Sequence, residues 1–207
     1  MKRERLGLFG GSFDPVHRAH LALARAARAE LALDRVLWIP AGQPWQKHRP
    51  MTAAAHRLAM LQLALEGEPG ASIDRRELDR PGLTYTVDTV EQLRAEHPQA
   101  ELVLLIGQDQ YAHFHTWHRW RDIVRQVVLA VAQRPGTPAT ADPEVMRAPM
   151  RSVPLPPMDV AATTIRERVA AGLPIDDLVP LQVARYIDSQ GLYRPDHQAG
   201  PPVGPRS

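Results

Sequence analysis

The stretch from residue 6 to residue 20, which reads LGLFGGSFDPVHRAH, limits the possible folds of this chain most strongly. Its residues 6–9 are an apolar run that stops at two glycines, which is the pattern of a buried parallel strand. The segment that follows Asp14 and Pro15 has apolar residues at helical spacing and is rich in good helix formers. The sequence therefore predicts a strand, a glycine turn and a helix, in this order.

Two histidines, His17 and His20, lie where the predicted helix begins, and their spacing of three places them on one helix face. Glycines let a backbone approach a phosphate closely, and a helix start offers N–H groups and the positive end of a dipole. Imidazoles can donate hydrogen bonds to phosphate oxygens, more strongly when they are protonated. The pattern indicates a phosphate site, and a tight turn with two surface histidines remains open. The chain has no cysteine and no third ligand at zinc-site spacing, so a zinc site is not favoured.

The segment GGSFDPVHRAH closely resembles the GGSFDPVHxGH motif of the HxGH nucleotidyltransferases, and in particular that of bacterial nicotinate-nucleotide adenylyltransferases. Both motif histidines are present, whereas Ala19 replaces the family glycine. The resemblance implies an α/β, Rossmann-like nucleotidyltransferase fold, with a mostly parallel sheet flanked by helices and a small C-terminal helical portion. Alternating strand and helix patterns favour the same class. We expect a single domain over residues 1–194 and a disordered tail over residues 195–207.

Bulk composition excludes several other classes of protein. A formal charge of +2 on 207 residues is too small to indicate a nucleic-acid partner. The absence of cysteine excludes disulfides and fits a reducing compartment. The first residues do not form a signal peptide, and no apolar run approaches the ~18 residues of a membrane helix. We therefore expect a cytoplasmic protein without a membrane partner.

Three later segments match motifs that surround ATP in the family. Lys47, in the loop AGQPWQKHRP, stands at the position of a family lysine that approaches phosphates, although the family often writes PPHK where this chain has PWQK. Gly107 and Asp109 follow the clearest strand, ELVLLI, and an acidic residue there commonly accepts hydrogen bonds from ribose. On the residues alone, a solvated basic loop and a turn aspartate remain open. The segment VAATTIR matches ISSTxIR at Thr163 and Arg166, and alanines replace both serines.

The same resemblance assigns two sets of site residues. Catalytic roles fall to His17, His20, Lys47 and Arg166. ATP binding falls to Gly10, Gly11, Ser12, Phe13, His20, Gly107, Asp109, Thr163 and Arg166. In the segment around Arg166, the spacing of Thr164 and Glu167 also predicts a capping box, which would make an ordinary capped surface helix.

The pyridine end of the site is implied by two further segments, TYTVDT and WHRW. By resemblance, Tyr85 and Thr86 hold the pyridine, and Trp117 stacks on its ring. Helix capping and ordinary packing are the alternatives for these residues. We expect Trp117 and Trp120 to lie on one helix, with Trp120 used for packing. Three neighbouring histidines fit no compact metal-ligand set and are interpreted as surface residues: His113, His115 and His118.

The reaction that the resemblance implies is direct transfer of the adenylyl group of ATP to nicotinate mononucleotide. Its products are nicotinate adenine dinucleotide and pyrophosphate. We expect Mg²⁺ to be held mainly by substrate phosphates, with no metal site made by the protein. Two alternatives remain: a sister enzyme such as pantetheine-phosphate adenylyltransferase, and a non-catalytic nucleotide-binding regulator. The sequence leaves open a homo-oligomer and the preference for the nicotinate or the nicotinamide nucleotide.

Overall fold

A parallel sheet forms the centre of the protein in its computed structural model, which describes residues 3–44, 51–133 and 138–195. Within these residues the strands are β1 (Arg5–Gly11), β2 (Arg35–Pro40), β3 (Gln43–Pro44), β4 (Ala71–Ile73), β5 (Leu83–Thr84), β6 (Glu101–Ile106), β7 (Val128–Gln133) and β8 (Met150–Pro154). Six of them form one sheet in the order β4-β2-β1-β6-β7-β8, and every neighbouring pair is parallel. The short strands β3 and β5 form a second, two-stranded sheet. The predicted Rossmann-like sheet is confirmed.

Helices alternate with the strands along most of the chain. In the described ranges they are α1 (Arg18–Glu30), α2 (Ala54–Leu65), α3 (Arg76–Asp79), α4 (Thr86–Glu96), α5 (Gln108–Ala112), α6 (Trp120–Val124), α7 (Ala162–Ala170) and α8 (Leu181–Ser189). Short 3₁₀ turns occupy Phe114–Thr116 and Val145–Arg147. None of the helices in these ranges has the length and apolar character that spanning a bilayer requires.

Both faces of the sheet are buried, which explains why its strands read as nearly continuous apolar runs. In β6, Val103 and Leu105 belong to one apolar cluster, whereas Leu102, Leu104 and Ile106 belong to the other. The first cluster includes side chains of α1, α2 and α8, and the second includes side chains of α4 and α6. The core therefore has two layers, one on each side of the sheet.

Strand β1 extends further than the sequence predicts. The expected stop at the two glycines is wrong, because Gly10 pairs with Ile39 and Gly11 pairs with Pro40 in the parallel register with β2. The Gly11 carbonyl also accepts a hydrogen bond from the N–H of Ala41 at 2.8 Å. Neighbouring strands thus override the weak strand preference of glycine. The turn before α1 consequently begins at Ser12.

Two helix predictions are also corrected. Trp117 and Trp120 do not share a helix: Trp117 follows a 3₁₀ turn, and Arg119, with φ of 50°, separates it from α6. The N-cap of α7 is Ala161, so Thr164 and Glu167 lie inside the helix and form no capping box at its start. Alanine is a strong helix former, which allows α7 to begin before the threonine pair. The predicted tail lies outside the described residues except for Pro195.

The order of the strands defines where a ligand can bind. From β1, the chain builds the sheet towards β2 and β4 on one side, and β6, β7 and β8 lie on the other side. The order therefore reverses between β1 and β6. In open α/β sheets, the crevice beyond the carboxyl ends of the strands at such a point is the usual ligand site.

Candidate active site

A cavity of about 850 Å³ lies at this crevice. It has the size of a typical small-molecule site. Its lining includes residues that follow β1, β6 and β8 and the last two residues of β7, and these bring together distant parts of the sequence. The predicted site residues that line it are Gly10, Gly11, Ser12, His17, His20, Thr86, Gly107, Asp109 and Trp117.

The two histidines face the cavity as a stacked pair. His17 is the N-cap of α1, and its ring lies parallel to that of His20, with centroids 3.6 Å apart and planes 23° apart. The backbone N–H of His17 donates a hydrogen bond to Nδ1 of His20 at 3.2 Å. An accepting Nδ1 carries no proton, so the neutral His20 ring carries its proton on Nε2. His20 can therefore donate a hydrogen bond from Nε2.

Burial determines the charge of His17. The residue is only 6% exposed, and burial lowers the pKa of its imidazole from the ordinary value of 6.5 to about 4. At neutral pH the ring is therefore uncharged, and it binds as a neutral group rather than as the protonated one that would bind phosphate more strongly. Its Nδ1 is buried, and the His17 side chain faces the backbone N–H of His20 as one half of a capping box at the start of α1.

The start of α1 offers fewer open N–H groups than the sequence pattern predicts. The N–H of His17 is bound to His20, and the N–H of Arg18 donates to the carbonyl of Leu178 at 2.9 Å. Ala19 lines the cavity at the position of the family glycine. The histidine side chains and the preceding loop are therefore the main donors that this end of the cavity presents.

The buried side chain of Phe13 holds the loop between β1 and α1 against the core. Its φ of 46° lies in the left-handed region, which bulky residues rarely adopt. Its ring is 1% exposed and packs at 5.6 Å from Phe9, 5.4 Å from Trp38 and 5.2 Å from His20, measured between ring centroids. The side chain of Phe13 is thus part of the core. Any contact of this residue with a ligand falls to its backbone.

The predicted pyridine residues lie at a second part of the cavity. Trp117 lines it and packs against Phe114, with ring centroids 4.8 Å apart. Thr86, the first residue of α4, also lines it, whereas the ring of Tyr85 lies against His118 at 4.5 Å. Trp120 is 8% exposed and belongs to the core, which confirms its predicted packing role.

The lining also includes residues that were not predicted to belong to the site, among them Glu77, Thr84, Thr89 and His118. Glu77 is buried, and its Oε1 accepts a hydrogen bond from the Thr89 hydroxyl at 2.8 Å. Burial raises the pKa of the Glu77 carboxyl. Nothing in the local sequence marks this glutamate, since it lies in the charged run DRREL and reaches the cavity only through the fold.

Besides Phe13 and Tyr85, three further predicted site residues are not in the described lining: Thr163, Arg166 and Lys47. Arg166 donates from Nη1 to the carbonyl of Asp14 at 2.7 Å and from Nη2 to the Thr163 hydroxyl at 3.0 Å. Neither Arg166 nor Thr163 is among the residues that line the cavity, within the described chain. Lys47 lies outside the described residues.

Comparisons with known proteins agree with this geometry. The sequence profile of the cytidylyltransferase-like family matches residues 8–168. A Bordetella petrii protein named probable nicotinate-nucleotide adenylyltransferase is 50% identical and aligns with 92% of this chain and 100% of its own length. A Methylibium petroleiphilum protein with the same name is 46% identical, over 93% of this chain and 94% of its own.

The chain belongs to the nicotinate-nucleotide adenylyltransferase family. A solved structure agrees in fold, with a TM-score of 0.75 at 16% identity, covering 92% of this chain and 98% of the other. That protein is the Plasmodium falciparum nicotinic acid mononucleotide adenylyltransferase complexed with NaAD. The family and fold predicted from the sequence are confirmed.

Departures from the family motifs lie in the cavity lining itself. Ala161 and Ala162, at the positions of the two family serines, line the cavity at the start of α7. Their methyl groups offer no hydrogen bonds where serine hydroxyls would. Binding at this end of the cavity therefore depends more on backbone groups and on neighbouring side chains.

The donor set of the cavity fits a metal ion that arrives with its substrate. In residues 3–44, 51–133 and 138–195, no three His, Cys, Asp or Glu side chains are grouped so that they could hold a metal ion. The carboxylates in the described lining are Asp109 and Glu77, and Glu77 is already bound to Thr89. Mg²⁺ commonly keeps several waters and uses substrate phosphates as ligands, so it needs few protein carboxylates.

The buried neutral His17 predicts a specific dependence of stability on pH. The unfolded chain protonates this ring below about pH 6.5, whereas the folded protein does so only below about pH 4. Between these values the unfolded state binds more protons, so the free energy of unfolding falls as the pH decreases, by about 3 kcal/mol from His17.

Urea unfolding at about pH 7 and about pH 4 tests this prediction in the wild type and in a His17→Gln variant. The variant should lose less stability on acidification than the wild type. Equal losses in the two proteins would contradict the assignment.

Proposed function

We propose that this protein transfers the adenylyl group of ATP to nicotinate mononucleotide and forms nicotinate adenine dinucleotide and pyrophosphate. The observation that carries the proposal is that one cavity is lined both by His17 and His20 and by Thr86 and Trp117. The names of the relatives, at 46% and 50% identity, support the same reaction. The complex of the Plasmodium protein with NaAD supports a dinucleotide ligand at this fold.

ATP occupies the part of the cavity after β1 and β6 in this proposal. The end of β1 at Gly10 and Gly11 receives the phosphates, together with Ser12, the Phe13 backbone and His20. Gly107 and Asp109 receive the adenosine, because an acidic side chain past a parallel strand suits ribose hydroxyls. Thr163 and Arg166 stay in the proposed ATP site on the strength of the family motif, although the described lining does not include them. In this proposal, residues 1–194 form a single domain that contains both parts of the cavity.

Nicotinate mononucleotide occupies the part of the cavity near α4 and the 3₁₀ turn. Trp117 offers a flat ring, and stacking of aromatic rings contributes about 0.5–1.5 kcal/mol beyond burial. Thr86 lies at the start of α4, where backbone N–H groups favour a negative group. Tyr85 precedes Thr86 in the chain and packs against His118, and it completes this part of the proposed site.

The chemistry consists of one in-line displacement. An oxygen of the mononucleotide phosphate attacks the α-phosphorus of ATP, and the bond from that phosphorus to the pyrophosphate oxygen breaks. The attacking oxygen is already ionised, so the reaction needs no general base. Catalysis rests on positioning and on stabilisation of the developing charge. His20 donates from Nε2, His17 contributes as a neutral ring, and Lys47 and Arg166 contribute positive charge.

Mg²⁺ would be held mainly by phosphate oxygens and water, since the described lining has few carboxylates. When bound, it neutralises phosphate charge. The protein residues orient the two substrates. The three alanines that depart from the family motifs (Ala19, Ala161 and Ala162) leave this work to the loop backbone and the histidines.

Pyrophosphate release, measured with ATP and one of three acceptors, tests the proposed function. The acceptors are nicotinate mononucleotide, nicotinamide mononucleotide and phosphopantetheine. Release with a pyridine mononucleotide and none with phosphopantetheine is expected, and the ratio of kcat/KM for the two pyridines gives the acid or amide preference. Release with phosphopantetheine alone would identify the sister enzyme. ATP binding without release would identify a regulator.

His20→Ala should reduce kcat by about 100-fold or more, because it removes a hydrogen-bond donor aimed at developing charge. The free energy of unfolding should change much less. The matched control is His115→Ala, which changes an exposed histidine outside the cavity lining and should leave kcat unaltered. Wild-type kinetics in His20→Ala would remove this residue from the mechanism.

Trp117→Ala should weaken binding of nicotinate mononucleotide about tenfold and leave ATP binding intact, because it removes the stacking surface alone. Trp117→Phe keeps a flat ring and should restore most of the affinity. Titration of each variant with each substrate separates the two effects. Loss of ATP affinity with normal mononucleotide affinity would show that the two parts of the cavity are assigned the wrong way round.

A further inference from the structure

A buried polar network of Asp14, Arg57 and Tyr193 supports the loop between β1 and α1. None of the three side chains is in the described cavity lining. Asp14 is fully buried, and its Oδ1 accepts a hydrogen bond from the Tyr193 hydroxyl at 2.8 Å. Tyr193 follows α8, so the last described part of the chain reaches back to a loop near its beginning. Burial and the Asp14 charge both raise the pKa of this tyrosine, which keeps its hydroxyl a donor.

Arg57 reaches the same loop from α2. It is only 1% exposed, and it donates from Nη1 to the Ser12 carbonyl at 2.8 Å and from Nε to the Thr52 carbonyl at 2.9 Å. Burial lowers the pKa of Arg57, and the charge of Asp14 opposes that effect. A buried charged side chain adds little net stability compared with an apolar one, so its position calls for another explanation.

The contacts of the network surround the strained residue of the loop. Phe13 has a left-handed φ of 46°, a conformation that costs energy and persists only when its surroundings impose it. The carbonyl before it, on Ser12, is bound to Arg57, and the carbonyl after it, on Asp14, is bound to Arg166. Two arginines from different helices thus hold the Ser12–Phe13 peptide and the Asp14–Pro15 peptide, one on each side of Phe13.

These contacts also determine where the loop N–H points. In a trans peptide unit the carbonyl and the N–H point in opposite directions, so the unit that directs the Ser12 carbonyl to Arg57 directs the Phe13 N–H away from Arg57. Ser12 lines the cavity, whereas Arg57 does not. The Phe13 N–H therefore points away from Arg57, and the Ser12 end of the same peptide unit lines the cavity.

We propose that Arg57 and Tyr193 are positioning residues that hold the Ser12–Phe13 peptide and Asp14 so that the Phe13 N–H receives the triphosphate of ATP. This inference rests on the proposed function for the identity of the ligand. Neither residue contacts the substrate in this account. Both act through the loop, so their removal affects ATP and leaves the pyridine part of the cavity unchanged.

Titration calorimetry with ATP and with nicotinate mononucleotide tests the inference on the full chain. The variants are Arg57→Met, Arg57→Lys and Tyr193→Phe. The control for arginine is Arg94→Met, because Arg94 also donates to backbone carbonyls, among them those of Ala100 at 2.7 Å and Gln126 at 2.6 Å, at the amino ends of β6 and β7. The control for tyrosine is Tyr186→Phe, which removes a hydroxyl that pairs with Nδ1 of His56 at 2.9 Å.

ATP affinity should fall about 100-fold in Arg57→Met and about tenfold in Tyr193→Phe, because charged hydrogen bonds contribute more than neutral ones. Arg57→Lys keeps one charged donor and should lie between Arg57→Met and the wild type. Mononucleotide affinity should stay within about twofold of wild type in all variants, and ATP affinity should do so in both controls.

Unchanged ATP affinity in Tyr193→Phe and Arg57→Lys would overturn the inference, as would equal losses of affinity for both substrates. If Arg57→Met does not fold, Tyr193→Phe decides the question, since it removes a single oxygen atom. The proposed function fails separately: wild-type protein that binds ATP but releases no pyrophosphate with a pyridine mononucleotide contradicts the reaction and leaves the affinity comparison intact.

Discussion

Parallel pairing of β1 with β2 on one side and β6 on the other is the constraint on which the site depends. Six residues of β1 pair with β2, and the last two are Gly10 and Gly11. The turn therefore begins at Ser12, where this pairing ends. Pairing with β6 places Gly107 beside that turn. A slip of one residue would exchange the side chains between the two layers of the core, so packing in both layers favours the observed register. The cavity is therefore a consequence of how the core is packed.

Burial then determines the chemistry of the groups that this register brings together. The ring of His17 is buried against that of His20 and is neutral at pH 7, so the pair does not place two positive charges 3.6 Å apart. The left-handed turn at Phe13 is maintained by its buried ring and by hydrogen bonds to the carbonyls of Ser12 and Asp14. Donors that are already held in position need little reorganisation when charge develops on a phosphate.

Local sequence patterns predicted most strands and helices. They did not predict contacts between residues that are distant in sequence. Apolar runs marked the main strands, and the spacing of His17 and His20 predicted a shared face, because these signals are contained in a few adjacent residues. The end of β1 was mispredicted because pairing with β2 outweighs the preferences of glycine. Glu77 and Arg57 were missed for a similar reason: their partners, Thr89 and Ser12, are distant in sequence. The roles of site residues came from the family motifs, not from spacing.

The most direct measurement of the central claim is a crystal structure of the protein with a non-hydrolysable ATP analogue. The account predicts phosphate oxygens within hydrogen-bonding distance of Nε2 of His20 and of the Phe13 N–H, with the ribose beside Asp109. It also predicts that the stacked imidazoles and the turn at Phe13 keep the arrangement seen without ligand. A triphosphate bound away from both groups, with the adenine elsewhere on the sheet, would contradict the account.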